Sequence, residues 1–336
     1  MGKKIWKNTI TFLSILLFVV CFKSIFGEEN TLVGVTVIMS VLILMTVDLT
    51  KNPWKSFFTL VIVNVLLGIF SHITNYNMYL GLIINFVTIG GIGYFLSYNL
   101  NKMLIVPFGL EYLFMLYSPV EGSAFVSRIV ALIVGSAIIM ITQLIVHKSK
   151  SNEEPPESDI LTFDESEDES KDEYGNIKIL GKSVRLHRVR ARYAVRVGLV
   201  TTLAIFAVAY FKLDKGRWII YTLFSLTELY SENCRIKSRQ RLQGTIIGAI
   251  LILLIFMVVK SDALRGFTIL LFGYLDSYTK NYRDKMICTT ISAVASVALV
   301  EGALVTVVER LVYVGIGIVL ALIVDKFVLQ TSEGHK

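Results

Sequence analysis

Thr268-Ile-Leu-Leu-Phe-Gly-Tyr-Leu-Asp-Ser-Tyr-Thr-Lys-Asn281 decides how this chain is read, because its pattern occurs twice. A shift of 180 positions lays it, without a gap, over Thr88-Ile-Gly-Gly-Ile-Gly-Tyr-Phe-Leu-Ser-Tyr-Asn-Leu-Asn101. Thr88/Thr268, Ile89/Ile269, Gly93/Gly273, Tyr94/Tyr274, Ser97/Ser277, Tyr98/Tyr278 and Asn101/Asn281 coincide. The same shift pairs Glu121-Gly122 with Glu301-Gly302, Gly68 with Gly248, Gly135 with Gly315, Asp48-Leu49 with Glu228-Leu229, and Lys55 with Arg235. Identities in so many separate segments at one offset describe two copies of one unit.

Each copy belongs in a membrane. Of 336 residues, 54% are hydrophobic and only 18% charged, with a mean hydropathy of +0.65, where soluble domains carry nearer a quarter charged. The apolar residues form long runs, among them Ile10–Cys21, Leu32–Val47, Phe57–Phe70, Leu199–Phe211 and Leu311–Val324. Each supplies much of the ~20 residues that cross a bilayer core of ~30 Å. Inside lipid the backbone must satisfy itself, so the spans are helices. The expected fold is all-α and polytopic, with about twelve transmembrane helices.

Hydropathy places them near 9–27, 31–50, 54–71, 78–98, 103–119 and 125–147, then 190–211, 216–231, 241–259, 263–279, 285–301 and 303–326. The basic, apolar N-terminus resembles a signal peptide, but Cys21-Phe-Lys-Ser offers no small-x-small cleavage site, so it is kept as the first helix. Six helices per copy return the chain to the same side, which makes the repeats parallel, related by an axis along the membrane normal. The expected domains are a first repeat at 1–147, a linker at 148–184, a second repeat at 185–328 and a tail at 329–336. With the N-terminus inside, only Lys23, Arg128, Lys212, Lys215, Arg217, Lys260, Arg265 and Arg310 of the 33 basic residues fall outside. Both termini and the linker are therefore expected in the cytoplasm.

The formal net charge of +7 hides a division. Glu153 to Glu173 carries eleven acids and one lysine, leaving 32 basic and 15 acidic residues elsewhere, a net of +17. That acidic run cannot bury enough apolar area to offset its ordering entropy and reads as disordered. The basic flank from Lys182 to Arg192 suits either the acidic run or anionic lipid. Cys21, Cys234 and Cys288 make neither a disulfide framework nor a metal spacing, and the four histidines are scattered. No phosphate-binding glycine loop and no Ser/His/Asp or Cys/His set is present, so the expectation is a non-enzyme without cofactor and without nucleic acid as partner.

What remains is charge inside or beside spans, which is costly without a partner or a water-filled cavity. Glu228 and its mate Asp48, together with Glu111 behind Pro107, are the candidates for carrying a proton. Glu228 and Asp48 read equally as snorkelling or capping groups. Arg241 shares a helical stripe with Gly244, Thr245 and Gly248 and offers a planar fork to a carboxylate. With Arg235, Lys55 and Arg217 it forms the cationic set, to which Tyr278, Asn281 and Tyr282 add phenols and an amide. Arg310 reads as structural, paired with its neighbour Glu309.

Arg217-Trp218, Arg241-Leu-Gln-Gly-Thr-Ile-Ile-Gly248, Asn281-Tyr282, Thr289-Thr290, Glu309-Arg310-Leu and Gly317 follow one another in a pattern that resembles the fusaric acid resistance-like family. The resemblance covers about 185–328; in the first repeat only Arg128-Ile-Val and Gly135 echo it, and Val61 stands where Arg241 would pair. It implies an inner-membrane secondary transporter that exports aromatic or other organic anions on an ion gradient. The anion path is then expected at the interface of the repeats. An anion channel and a non-transporting envelope scaffold stand as alternatives. Expected partners are a small organic anion and the lipid bilayer, with a second copy or an accessory subunit left open.

Overall fold

The computed structural model describes residues 2–97, 103–148, 174–179 and 182–327. Tyr98 and Asn101 of the repeated stretch, the acidic run at 153–173 and the tail at 329–336 lie outside the described residues. The described chain is all-α apart from one hairpin. Its helices are α1 (Gly2–Phe26), α2 (Thr31–Leu44), α3 (Pro53–Thr74), α4 (Met78–Phe95), α5 (Ile105–Leu116) and α6 (Gly122–Lys148). After the hairpin come α7 (Arg188–Tyr210), α8 (Arg217–Leu226), α9 (Ser231–Val258), α10 (Asp262–Asp276), α11 (Tyr282–Glu301) and α12 (Ala303–Phe327).

Seven of these are long and apolar enough to cross a membrane: α1, α3, α4, α6, α7, α9 and α12. The protein is thus a polytopic membrane protein. At ~1.5 Å per residue, α2, α5, α8 and α10 fall short of a ~30 Å core on their own. α11 has the length, but it opens on Tyr-Arg-Asp-Lys.

Several expected boundaries move, each for a local reason. α2 stops at Leu44, not 50, because Asp48 folds onto the next residues: its Oδ1 accepts from the Thr50 amide at 2.8 Å and the Thr50 hydroxyl at 2.6 Å. Such side-chain bonds give the backbone an alternative to the helix. α8 stops at Leu226, where Thr227 turns extended and its hydroxyl donates back to the Leu223 carbonyl. α9 starts at Ser231, ten residues before the apolar run, so Arg235 to Arg241 lie along its first turns instead of opening it. The expected linker also ends sooner than 184. β1 (Tyr174–Ile179) pairs antiparallel with β2 (Lys182–His187), in register Tyr174 with His187 through Ile179 with Lys182. Ile177 and Ile179 give β1 β-branched residues that suit a strand.

The chain divides into two compact units. One comprises residues 17–206, with Ile105, Tyr112, Leu113, Leu132 and Ile139 fully buried. There Asn64 on α3 donates to the Ser136 hydroxyl on α6 at 2.9 Å, and the Gln143 amide donates to the Leu44 carbonyl. α7 lies against α4 in this unit. A Cβ on Gly93 would stand 2.8 Å from Val197 Cγ1, and the Arg190 guanidinium donates to the Tyr94 carbonyl at 2.9 Å.

The other unit comprises residues 1–16 and 207–336. Its core joins Ala249, Ile252 and Phe256 of α9 to Ile291, Val294 and Ala298 of α11. Here α1 meets α10: Thr9 Oγ1 and Tyr274 Oη are 2.8 Å apart, and the Phe12 and Tyr274 rings meet edge-on at 5.4 Å. The repeated stretch therefore forms, on both occurrences, a helix that receives another helix at its Gly-Tyr pair.

Backbone itself comes close between α9 and α11, where a Cβ on Gly244 would lie 2.6 Å from the Arg283 carbonyl oxygen. Backbone cannot yield cheaply, so Gly244→Val is expected to destabilise the protein by about 1–3 kcal/mol. Gly315→Val, where nothing lies within 4 Å, should stay within about 0.5 kcal/mol. Thermal unfolding of the two detergent-solubilised variants measures the difference.

Candidate functional site

The second unit described brings α8, α9, α11 and α12 together around two arginines. Gly317 on α12 lets α8 approach until a Cβ there would sit 2.8 Å from Thr222 Cβ and 2.9 Å from the Ile219 carbonyl. Gly244 and Gly248 do the same for α9 against α11, with Gly248 facing Thr290. Small residues are what allow helices to close on one another in lipid. The polar side chains between them have little freedom.

Arg241, on the third turn of α9, is 9% exposed. Its Nη1 donates to Ser225 Oγ at 2.5 Å and to Tyr282 Oη at 2.9 Å. Arg310 on α12 is 8% exposed, and its guanidinium carbon lies 4.8 Å from the centre of the Trp218 ring on α8. The Arg310 Nε has no hydrogen-bond partner among the described residues, and neither has the nearby α8 hydroxyl of Thr222. The two guanidinium groups are close enough to feel each other's charge. Among the described residues, neither arginine is ion-paired to a carboxylate.

The expected Glu309–Arg310 pair is corrected. Glu309 Oε2 reaches Lys215 Nζ at 3.0 Å instead. Consecutive helical residues do not face each other, so adjacency in sequence was the wrong guide. Arg310, Trp218 and Ser225 are the site residues that sequence reasoning missed. The available signal was Arg310 itself, an arginine within an apolar helix, which by default marks function.

Of the expected set, the structure brings Arg241 and Tyr282 together. Arg217 is half-buried at the start of α8, within electrostatic range of Tyr221. Arg235 is exposed on α9. Tyr278 Oη is 2.5 Å from Tyr274 Oη, so it belongs with the Thr9–Tyr274 contact rather than with Arg241. Asn281 is exposed and bonds Asp284 at 3.4 Å. Lys55 belongs to the other compact unit, at the rim of a pocket that Asp48 also lines.

Neither Asp48 nor Glu228 lies in a helix. They occupy the non-helical stretches after the short helices α2 and α8. Glu228 Oε1 is 2.8 Å from Lys237 Nζ. Partial burial pushes the Asp48 carboxyl upward, but the two bonds from Thr50 and the charges of His147 and Lys51 outweigh it and hold the group below its ordinary value. Glu111 on α5 is buried at 1% exposure, and its Oε1 lacks a partner among the described residues.

Arg128 shows what a structural arginine looks like in this protein. It is 3% exposed, and it donates to Asn30 Oδ1 at 2.8 Å, the Ser118 carbonyl at 2.7 Å and the Glu29 carbonyl at 3.0 Å.

The seven long apolar helices make this a polytopic membrane protein, and its second unit carries two buried arginines. Residues 203–324, about a third of the chain, match the family model described as fusaric acid resistance protein-like. The matched segment holds Trp218, Ser225, Arg241, Tyr282 and Arg310 together. No curated protein and no solved structure gives a significant match to the chain.

Arg310 and Arg128 should respond in opposite ways to the same change. Replacing an under-partnered buried charge with an apolar side chain is neutral or stabilising, so Arg310→Leu is expected to hold or raise the melting temperature. Arg128→Leu strands three acceptors and should cost about 3 kcal/mol or more. Thermal unfolding at neutral pH compares the pair. A clear loss of stability in Arg310→Leu would assign that residue to the scaffold.

Proposed function

We propose that the protein is a secondary transporter that moves aromatic or other organic anions out of the cell, with Arg241 and Arg310 as the anion site. The observation that carries this reading is the pair of buried guanidinium groups without a carboxylate. Two such cations held in one site repel each other, and a bound carboxylate relieves that repulsion. Guanidinium accepts a carboxylate through a planar fork. Trp218 and Tyr282 add flat aromatic surface beside the charges, which suits a ring-bearing acid. Ser225 and Tyr282 already orient Arg241.

The membrane plan supports the same reading. We take the chain as two parallel six-helix repeats with both termini in the cytoplasm, placed in the inner membrane. α3 and α9, like α6 and α12, begin and end near positions related by the 180-residue shift. The short helices α2 and α8 end near such positions, each followed by a non-helical stretch bearing an acid. Short or interrupted hydrophobic segments at corresponding places in two halves are a recurrent mark of transporter binding regions. For the coupling proton the reading favours Glu111, buried and under-partnered, over Asp48 and Glu228, whose oxygens are already engaged.

Uptake of labelled aromatic and dicarboxylic acids into proteoliposomes, with and without an imposed pH gradient, tests this. Gradient-dependent flux is expected, falling by about tenfold or more in Arg241→Ala and in Arg310→Leu, the loss of a charge-assisted contact. Glu111→Gln should retain flux down the anion's own gradient and lose the response to pH. Wild-type flux that ignores the pH gradient would make the protein a channel. No flux of any tested acid from folded protein would favour a scaffold.

A further inference from the structure

The pocket that Lys55 and Asp48 share is a separate feature, formed entirely within residues 17–206. It lies where α2 ends, α3 begins and α5 passes behind, and its volume is about 110 Å³. Its floor is apolar, formed by Leu60 and Val63 of α3 and Phe108 of α5. Its rim is charged, with Asp48, Lys51 and Lys55. An apolar cavity of about 150 Å³ takes up a benzene ring, so this one has room for a body close to a single ring or a short aliphatic chain.

The rim decides the head group. Asp48 Oδ1 accepts two hydrogen bonds from Thr50, and the charge of Lys51 already falls on that carboxylate. Lys55 is exposed and has no ion pair among the described residues. It therefore contributes the uncompensated charge at the mouth, and it is positive. The start of α3 adds to this, since Asn52, which lines the pocket, makes no side-chain cap bond there and a helix N-terminus carries partial positive charge.

We infer that this pocket binds a small amphipathic anion, its carboxylate or phosphate at Lys55 and its apolar body against Leu60, Val63 and Phe108. The inference goes beyond the transport reading and does not depend on it, because no residue of the arginine site takes part. The anion has two sources, a free organic acid from the aqueous phase or a phospholipid whose head group reaches the rim. Both use the same chemistry.

Equilibrium binding of tritiated 4-phenylbutyrate to delipidated, full-length protein tests it, read in the wild type and in Arg241→Gln so that the arginine site is removed from the signal. Binding is expected to persist in Arg241→Gln and to weaken about tenfold or more in Lys55→Gln. Val63→Phe, which fills the floor, should weaken it similarly. Unlabelled 4-phenylbutyrate should compete far better than inorganic phosphate, which has no body, or 4-phenylbutanol, which has no charge. Displacement by phosphatidylglycerol at low mole fraction assigns the site to membrane lipid, and its failure to displace assigns it to a free acid. The inference is overturned if Lys55→Gln binds like wild type, if binding vanishes in Arg241→Gln alone, or if 4-phenylbutylamine competes better than the acid.

Discussion

In a bilayer, lipid tails solvate a leucine as well as another helix does, so helices associate only where they fit closely. That constraint shapes the unit that holds the candidate site. Gly244 and Gly248 bring α9 within backbone contact of α11, and Gly317 brings α8 onto α12. The glycines leave little room for side chains to rearrange. Arg241 and Arg310 are consequently both held buried among these helices. Without those contacts the arginines could swing outward and snorkel, as long basic side chains do. Packing thus holds the charges in place, and the charges give the packed site its chemistry.

The contrast between Arg128 and Arg310 separates two uses of the same side chain. Arg128 spends its donors on Asn30, Glu29 and Ser118, and so ties the 3₁₀ turn at Glu28–Asn30 to the start of α6. Arg310 instead lies over an indole, with a nitrogen left over. Insertion of an arginine at a helix centre costs roughly 2.5–3.5 kcal/mol. Arg310, in the third turn of α12, meets that cost with the Trp218 ring and keeps one nitrogen without a partner among the described residues.

Much of the fold was legible because hydropathy and helix formation are the same problem inside lipid. Helix ends were not legible, since they depend on individual hydrogen bonds. Asp48 onto Thr50 ends the region after α2, and Thr227 onto Leu223 ends α8. The early start of α9 was hidden for a related reason: a charged segment can be helical without being apolar, and Ser231 to Gln240 is. At the site, the motif residues were found but not their partners. Arg241 and Tyr282 stood in one larger candidate set, whereas Arg310 with Trp218 needed the direction in which α12 presents its side chains. Lys55 and Arg235 coincide in the repeat, yet one rims a pocket and the other is exposed on α9.

The way α1 and α7 are shared has a consequence for biosynthesis. Gly93 on α4 is filled by Val197 of α7, and Tyr274 on α10 is met by Thr9 and Phe12 of α1. Each half of the chain therefore lends its opening helix to a surface in the other half. While the ribosome is still making residues beyond 150, the glycine face of α4 has only lipid or a chaperone against it. The first half must wait in the membrane for a helix that has not yet been translated. The contact that α1 makes on α10 can form only after the chain has been made past Tyr274, so neither half completes its packing alone.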